Sequence, residues 1–377
     1  MKNIGLAAAG LLASTAIATA GGLDRDQMGT SILFEEGNYV ELSFASIDPD
    51  VSGTAAGGRN SGDIGPRYTT FSLGYHNDLT DNLSLSFMIN QPYGADIAFN
   101  NATWPFDGTQ ADLNSTQYTL AARYEVSNGF SVYGGLRAAE MDVTATVLTS
   151  TGLNYSIQAE SSTATGYLVG AAYERPDIAL RVALTYFSDM TFEMSGTESL
   201  ANGTNNGQGG PEASSFNVDL PAFTLLEAQS GIAENTLLFG SIRWTYYQGH
   251  ELRPNWYPDS TTQLPGGAMA TFDNDVITYT LGVGRRINEN WAVSASLGYE
   301  AAQGGFAGNL TPTDGRRSIG LGAEYTQGNL SIGGGLQYIM IGDAQTVLAG
   351  TEQNPLLVSN YSDNTGIAAG IRIGVQF

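Results

Sequence analysis

Residues 367–377 read IAAGIRIGVQF, and this stretch decides the fold. Apolar side chains alternate there with small or polar ones, the first set being Ile367, Ala369, Ile371, Ile373, Val375 and Phe377 and the second Ala368, Gly370, Arg372, Gly374 and Gln376. Strict alternation predicts a β-strand with one apolar face, because successive side chains of a strand point to opposite sides. Residues 83–90 and 291–299 repeat the pattern. Two architectures satisfy it: a soluble sandwich with an apolar core, and a membrane barrel with an apolar outer surface.

The connections between the alternating segments separate these two architectures. Fourteen such segments are predicted between residues 39 and 377, and short turns mostly alternate with long connections. The long connections are predicted at 48–66, 100–114, 198–213, 254–273, 303–314 and 348–361, and a tight turn at 149–152 is the exception. Short turns at one end and long loops at the other are typical of an outer-membrane barrel with an even number of strands. We therefore expect an all-β fold, a transmembrane antiparallel β-barrel of about 14 strands.

The first twenty residues indicate export. Lys2 provides a basic start, residues 4–18 an apolar stretch, and Ala18-Thr19-Ala20 a cleavage site, which together make a secretory signal peptide. We expect residues 1–20 to be the signal peptide, 21–38 an N-terminal hatch or plug segment, and 39–377 the barrel. The expected location is the outer membrane of a Gram-negative bacterium.

Composition narrows the possible functions. The chain of 377 residues has a formal net charge of −22 and a pI near 4.2, which disfavours a nucleic-acid partner because its phosphates could not be neutralised in bulk. It has no cysteine and only two histidines, His76 and His250, which disfavours thiol chemistry, disulfides and multi-histidine metal centres. We expect no catalytic residues, no cofactor and no metal site, and therefore not an enzyme.

Strand parity turns several arginines toward the lumen. A guanidinium facing lipid at the middle of the membrane would cost about 2–4 kcal/mol, so the inward side is also the favourable one. The inward arginines taken as candidate ligand-binding residues are Arg123, Arg137, Arg181, Arg243 and Arg372. They have two possible roles: pairing with lumen carboxylates such as Glu125, Glu300 and Glu324, or holding the anionic head of a ligand.

Proline interrupts two of the predicted strands. Pro92-Tyr93-Gly94 breaks the third strand, where proline removes a ladder donor and glycine permits unusual backbone angles. Leu220-Pro221 interrupts the eighth strand in a similar way. An interruption inside a barrel wall predicts either a lateral opening or a harmless bulge.

The two ends of the mature chain carry further expectations. Residues 21–38 lack alternation, and Ile32, Leu33 and Phe34 favour burial as a hatch inside the lumen, with a periplasmic tail as the alternative. Phe377 closes the last strand and is the expected assembly signal for the barrel assembly machinery.

The order of short motifs along the chain points to a family. The motifs are Ile47–Gly53 at the start of the first outer loop, Tyr93-Gly94 with Phe99 at the interrupted third strand, Asn217–Pro221 in the eighth strand, and Ala323-Glu324-Tyr325 before the final strand. In this order the chain resembles the FadL/TodX-type outer-membrane transporters of long-chain fatty acids and other hydrophobic compounds, over essentially the whole mature chain. It departs from them in the hatch, where residues 32–38 replace an Asn-Pro-Ala signature, and at Asp142, which stands where the family has a basic ligand contact.

The resemblance implies a transporter that takes up long-chain fatty acids or similar hydrophobic compounds. Outer loops would capture the ligand, the lumen would hold it, and movement of the hatch would let it leave sideways through the opening at the third strand. Because of Asp142, the ligand need not be a fatty acid and can equally be a hydrocarbon. The expected partners are this ligand, outer-membrane lipid and lipopolysaccharide, and the expected state is a monomer. Two rival functions stay open: a general diffusion porin with a water-filled lumen, and a structural or adhesive surface barrel.

Overall fold

The computed structural model describes residues 23–25, 28–148, 154–201, 211–259 and 266–377. The signal peptide predicted at 1–20 and the turn predicted at 149–152 lie outside these residues. The first twelve strands are β1 Asn38–Asp50, β2 Gly53–Ala55, β3 Arg59–Asn60, β4 Tyr68–Thr80, β5 Leu83–Asn90, β6 Gly94–Ala98, β7 Gln110–Ser127, β8 Phe130–Leu148, β9 Asn154–Arg175, β10 Leu180–Phe187, β11 Met190–Ala201 and β12 Glu212–Leu220. The remainder are β13 Phe223–Ala233, β14 Thr236–Thr245, β15 His250–Leu252, β16 Ala270–Phe272, β17 Val276–Arg286, β18 Trp291–Glu300, β19 Arg316–Gln327, β20 Leu330–Ile341, β21 Ala344–Thr351, β22 Asn354–Tyr361 and β23 Thr365–Gln376. Short 3₁₀ helices lie at Ser31–Phe34 and Pro176–Ile178.

The described strands close into a 14-strand antiparallel barrel, which confirms the predicted fold. Closure occurs where β1 pairs with β4 on one side and with β23 on the other. Five of the barrel strands consist of two segments each, namely β5 with β6, β10 with β11, β12 with β13, β14 with β15, and β16 with β17. The interruptions predicted at Pro92 and Pro221 are the first and third of these breaks.

The two faces of the wall follow the predicted alternation. In β23, Ile367 and Ile371 are exposed by 56% and 46%, whereas Arg372 is buried in the lumen. Other large apolar residues on the outer surface, such as Leu136 and Leu321, are exposed in the same way. An apolar exterior and a polar interior are what a barrel in lipid requires. None of the helices in the described part of the chain is long and apolar enough to span a membrane.

The two ends of the barrel differ. One end has short turns such as Asn128-Gly129, where both residues have positive φ, and we take this as the periplasmic end. At the other end, β21, β22, β2 and β3 form a separate four-stranded sheet above the barrel. An apolar cluster that includes Val51, Trp104 and Tyr361 packs beneath it. The predicted long connections at 48–66 and 348–361 gave no sign of this sheet, because its segments of two to eight residues are too short to show alternation clearly.

Candidate functional site in the lumen and wall

The described residues before β1 lie inside the barrel. Ile32 and Leu33, in the 3₁₀ helix at Ser31–Phe34, are buried at 3% and 0% exposure. Together with Met28 they belong to an apolar cluster formed largely by residues of β7–β13. Ile32, Leu33 and Phe34 thus lie in the lumen, and we call residues 23–25 and 28–37 the hatch segment.

Phe34 fixes the lower part of the hatch segment through its ring. The guanidinium carbons of Arg123 and Arg181 lie 4.8 and 4.5 Å from the centre of the ring, one in β7 and the other in β10. The edge of the ring packs against Tyr133, with 5.7 Å between the two ring centres. Cation–π contacts of this kind contribute about 0.5–2 kcal/mol each, more when they are desolvated. Two of the predicted lumen arginines thus hold an aromatic ring of the protein itself.

Asp24 fixes the upper part of the hatch segment. Its carboxylate accepts hydrogen bonds from Arg243 Nη2 at 2.8 Å and from the Tyr247 hydroxyl at 3.1 Å. Both Asp24 and Arg243 are almost fully buried. The Arg243 guanidinium also lies over the ring of Phe223, 4.1 Å from its centre. A third predicted lumen arginine therefore also binds the hatch segment.

Besides Arg243, two of the five predicted arginines form ion pairs, in their case with carboxylates of the barrel strands. Arg123 contacts Glu174 and lies 3.0 Å from Glu125, one of the carboxylates named from the sequence. Arg372 Nη2 lies 2.8 Å from Glu324, another of them. These geometries match the pairing role rather than the ligand-holding role.

Arg137 is the predicted arginine most deeply enclosed by neutral groups. It donates to Gln117 Oε1 at 2.7 Å and to the Ser188 carbonyl oxygen at 3.1 Å. Its guanidinium lies 5.2 Å from the ring of Phe187, which stacks on Phe223 at 4.2 Å. Arg123 and Arg181 thus meet at the ring of Phe34. Arg137 and Arg243 meet at the ring of Phe223, 5.9 and 4.1 Å from its centre, while Arg372 pairs with Glu324. The five arginines therefore do not form one binding cluster.

Asp142 lies on the outer face of the wall, whereas a ligand contact in the lumen would require the inner face. It is exposed on β8, while its neighbours Met141 and Val143 are buried on the inner face. The alternation of the strand therefore turns Asp142 away from the lumen. The expectation that Asp142 replaces a ligand-contacting basic residue in the lumen is therefore wrong.

The wall lacks backbone pairing beside the interrupted third strand. β4 pairs with β5 from Leu73 onward, and β6 pairs with β7 on its other side, with Gly94 opposite Asn114. Among the described strands no ladder joins β4 to β6. The Phe71 amide, at the start of this gap, donates instead to the side chain of Gln91 at 3.1 Å. The residues predicted for a lateral opening thus border a gap in the wall.

The hatch segment pairs with the free edge of this gap. The Arg25 amide donates to the Pro92 carbonyl oxygen at 2.7 Å, and the Gly94 amide donates to the Leu23 carbonyl oxygen at 2.8 Å. Asp24 and Tyr93 form the antiparallel bridge between these two hydrogen bonds. Backbone groups exposed by the kink are therefore satisfied by the hatch segment.

Arg25 fills the gap with its side chain. Its Nη2 lies 2.6 Å from the Asp96 carboxylate of β6, and its guanidinium carbon lies 4.4 Å from the ring centre of Tyr68 in β4. A side chain added at Gly94 would collide with this guanidinium, which explains a glycine at this position. Sequence reasoning missed Arg25, because a single arginine in a segment without alternation carries no signal, and its partner is far away in sequence.

One cavity lies beside the hatch segment and another lies farther toward the outer end of the barrel. The first, of about 160 Å³, lies in the lumen and is lined by residues including Gly29, Ser43, Ser72, Thr280 and Arg372. The other has a volume of about 460 Å³. Its lining combines charged residues such as Arg253 and Asp259 with the apolar residues Phe99, Phe106, Tyr257, Met269, Leu310 and Leu348. We call the second one the outer chamber.

A buried carboxylate holds the loop that lines the outer chamber. Glu198, at 1% exposure, accepts hydrogen bonds from the Tyr155 hydroxyl at 2.8 Å and from the backbone amides of Asn255 and Trp256 at 3.2 and 2.8 Å. Ser214 is a further donor to it. A carboxylate with this many donors is fully satisfied, so it anchors the loop without an ion pair.

Burial shifts the pKa of two groups outside the barrel strands. Desolvation, strengthened by the neighbouring charge of Glu41, raises the pKa of Glu35 in the hatch segment to about 7. Burial in the outer chamber raises the pKa of Tyr257 to about 12. Glu35 is therefore the hatch group whose charge changes near neutral pH.

The described residues include no set of three or more histidine, aspartate or glutamate side chains arranged to hold a metal ion. His76 is buried, with Nδ1 2.8 Å from the Ser86 hydroxyl, and His250 Nδ1 lies 3.2 Å from the Tyr247 carbonyl oxygen. Each histidine thus has a ring nitrogen within hydrogen-bond distance of a protein oxygen.

The sequence and the fold agree on one family. Residues 30–376 match the family described as outer membrane protein transport protein, OMPP1/FadL/TodX. The chain belongs to this family. Its location is accordingly the outer membrane, and both the family and its solved relatives are described as transporters or channels. No curated protein matches the sequence.

Solved structures of the FadL/TodX family share the fold at low sequence identity. A FadL homologue from Pseudomonas aeruginosa has a TM-score of 0.77 at 13% identity, covering 95% of this chain and 96% of that one. The toluene transporter TodX from P. putida has a TM-score of 0.65 at 13% identity, covering 92% of each chain. The toluene transporter TbuX from Ralstonia pickettii has a TM-score of 0.63 at 12% identity, covering 97% of each chain. At such identities the likeness establishes the fold.

Proposed function

We propose that this family member takes up hydrophobic compounds across the outer membrane, either long-chain fatty acids or hydrocarbons, and releases them sideways through the gap between β4 and β6. The observation that carries the proposal is the gap itself, which is bridged by Arg25 of the hatch segment and not by a backbone ladder. The outer chamber would receive the compound, and displacement of the hatch segment would open the route to lipid.

A gap in the backbone pairing of the wall is costly in lipid, and its presence therefore indicates a function. A backbone polar group left unpaired in hydrocarbon costs several kcal/mol, so barrel walls are normally fully paired. Here the kinked edge is paired by Leu23 and Arg25, whose backbone can withdraw with the hatch segment. A wall that relies on a separable segment for its pairing suits an apolar cargo, because the cargo then moves from the lumen into lipid without crossing water.

The polar contacts of the lumen favour a neutral cargo over a carboxylate. Arg123 and Arg372 are paired with Glu174 and Glu324, so an anionic head would have to compete with protein carboxylates. Burying each methylene contributes about 0.8 kcal/mol, so the apolar side chains of the outer chamber, such as Phe99, Leu310 and Leu348, favour an alkyl or aryl group. The relatives TodX and TbuX are described as toluene transporters, which supports the same class.

The test removes the hatch side chain that fills the gap and then fills the same space with a side chain from the wall. Arg25→Ala removes the side chain that fills the gap, and uptake of labelled toluene or oleate by cells should equal or exceed that of the parent. Adding Gly94→Leu to Arg25→Ala fills the same space from β6, now without a collision, and uptake should fall strongly at equal surface levels.

Arg25→Ala alone is the matched control for this double variant. Equal uptake by the single and double variants would show that the cargo does not leave at this gap. Uptake by the parent no faster than by cells lacking the protein would refute the transport function itself. Comparison of toluene with oleate decides between the two cargo classes.

A further inference from the structure

Carboxylates border the outer mouth of the gap between β4 and β6. Asp96 on β6 lies directly opposite Asp112 on β7, and these two residues share one face of the wall. On the same face, Asn114 of β7 lies directly opposite Asp142 of β8. This is the outer face, because Leu113, between Asp112 and Asn114, is buried in the apolar cluster of the lumen. We call Asp96, Asp112 and Asp142 the acidic rim.

Arg25 of the hatch segment is the cation that reaches the acidic rim. Its guanidinium lies 2.6 Å from the Asp96 carboxylate and 3.4 Å from the side-chain oxygen of Asn114, so it extends through the gap from the lumen to the outer face. The basic residues of β5–β8 are Arg123 and Arg137, and both are buried on the inner face. Like charges directly opposite each other destabilise paired strands, and Arg25 offsets this repulsion while the hatch segment is docked.

On the β4 side of the gap, the nearest basic residue in the sequence is already paired. Arg67, just before β4, forms an ion pair with Asp48 of β1. Thr69 and Phe71, which are exposed along this edge, are uncharged. When the hatch segment is displaced, Arg25 leaves with it, and a passing cargo meets three carboxylates that have lost their positive neighbour.

The acidic rim lies at the outer boundary of the lipid-facing surface. Toward the periplasmic end of the same strands, the outer face carries Tyr118 and Leu120 on β7 and Leu136 on β8, exposed by 37%, 53% and 72%. An amphipathic carboxylate leaves its charge at the polar interface while its chain enters hydrocarbon, because burying an unpaired charge costs a great deal of free energy. A fatty-acid anion leaving the gap therefore holds its head group beside the acidic rim, whereas a neutral compound brings no charge there.

We propose that the acidic rim selects the cargo released at the gap, passing uncharged hydrophobic compounds and holding back anions such as long-chain fatty acids. Like charges repel one another over about a Debye length, which is about 8 Å at physiological ionic strength. Asp112 and Asp142 thus act as specificity-determining residues at the exit, although neither faces the lumen. This inference rests on the proposed release at the gap and narrows its cargo to the uncharged class.

The experiment compares two cargoes with the same chain and different head groups. Uptake of labelled oleate and of labelled oleyl alcohol is measured on cells with equal surface levels of the full-length protein, and uptake by cells lacking it is subtracted. Asp112→Asn with Asp142→Asn removes two charges of the acidic rim and keeps the ion pair of Arg25 with Asp96. The ratio of oleate uptake to oleyl alcohol uptake should rise several-fold in this variant.

Glu193→Gln with Asp219→Asn is the matched control. Both carboxylates are exposed on the outer face, on β11 and β12, which β7, β8 and β9 separate from the gap. The same number of charges is lost in this variant, and the ratio should stay at the parent's value.

Two results would overturn selection by the acidic rim: an unchanged ratio in Asp112→Asn with Asp142→Asn, or an equal rise in the control. Release at the gap is tested separately by oleyl alcohol uptake in Arg25→Ala with and without Gly94→Leu. Equal uptake by those two variants would refute release at this gap, and with it the selection of cargo there. Lower uptake with Gly94→Leu, together with an unchanged ratio in the rim variant, would leave the release route standing and remove its selectivity.

Discussion

Replacing Asp24 with asparagine should loosen the hatch segment without disturbing the barrel. The carboxylate of Asp24 binds Arg243 and Tyr247, which lie more than two hundred residues further along the chain, and almost no water reaches it. Asparagine keeps the shape and one acceptor oxygen but removes the charge. Among the contacts described above, this is the buried ion pair that joins the hatch segment to the middle of the chain.

The size of the effect follows from the contacts. Hydrogen bonds to charged groups contribute about 1.5–3 kcal/mol, and removing one partner of a buried ion pair costs about 3–5 kcal/mol. We expect about 3 kcal/mol less stabilisation of the docked hatch segment, which is a change of about a hundredfold in its docking equilibrium.

The assay reports hatch release through a single thiol. Leu33→Cys places the probe in the hatch segment at a position that is fully buried while the segment is docked. Its rate of modification by a water-soluble maleimide should rise about a hundredfold when Asp24→Asn is added. Asp81→Asn, in an exposed turn, is the control and should leave the rate unchanged. An unchanged rate in Asp24→Asn, with normal heat-modifiable mobility of the barrel, would refute the anchoring role.

Three further outcomes are expected. Burial and Glu41 raise the pKa of Glu35 from 4.5 to about 7, so between these pH values the docked hatch segment holds a proton that the released one gives up. Docking is therefore most favoured below about pH 4.5 and weakens as the pH rises to about 7. Labelling of Leu33→Cys should follow this pH dependence, and the dependence should disappear when Glu35→Gln is added. Glu198→Ala removes the acceptor of four donors and should speed chymotrypsin cleavage after Trp256 on intact cells, and resistance equal to the parent's would contradict the anchoring of that loop. Phe377→Ala should lower the amount of barrel assembled in the outer membrane, measured by surface labelling, and normal levels would remove the assembly-signal prediction.

The wall of the barrel could be predicted from the sequence because the face to which a strand residue points follows from the alternation of its immediate neighbours. In β23, each side chain shows its face through its immediate neighbours, so Arg372 could be placed in the lumen from parity alone. The break at Pro92 could be located for the same reason, since a missing amide donor is a property of one residue.

The occupants of the lumen could not be predicted, because their partners are set by tertiary contacts. Parity placed Arg123 inside but could not show that it would lie against Phe34, a hatch residue with no periodic pattern around it. Arg25 and Asp96 are separated by 71 positions and meet only because the third strand bends. The inward direction of an arginine is thus readable from sequence, whereas its partner is not.

The seam between β1 and β23 imposes an order on assembly. The first and last strands of the barrel pair over twelve positions, from Tyr39 opposite Gln376 to Asp50 opposite Thr365, so the ring closes only after the whole chain is available. The hatch segment is joined to β1, yet its partners Tyr93, Glu227 and Arg243 come from the interior of the chain. A hatch segment that docks on the still open sheet is enclosed when the seam forms. Closure of the seam therefore completes both the wall and the enclosure around the hatch segment.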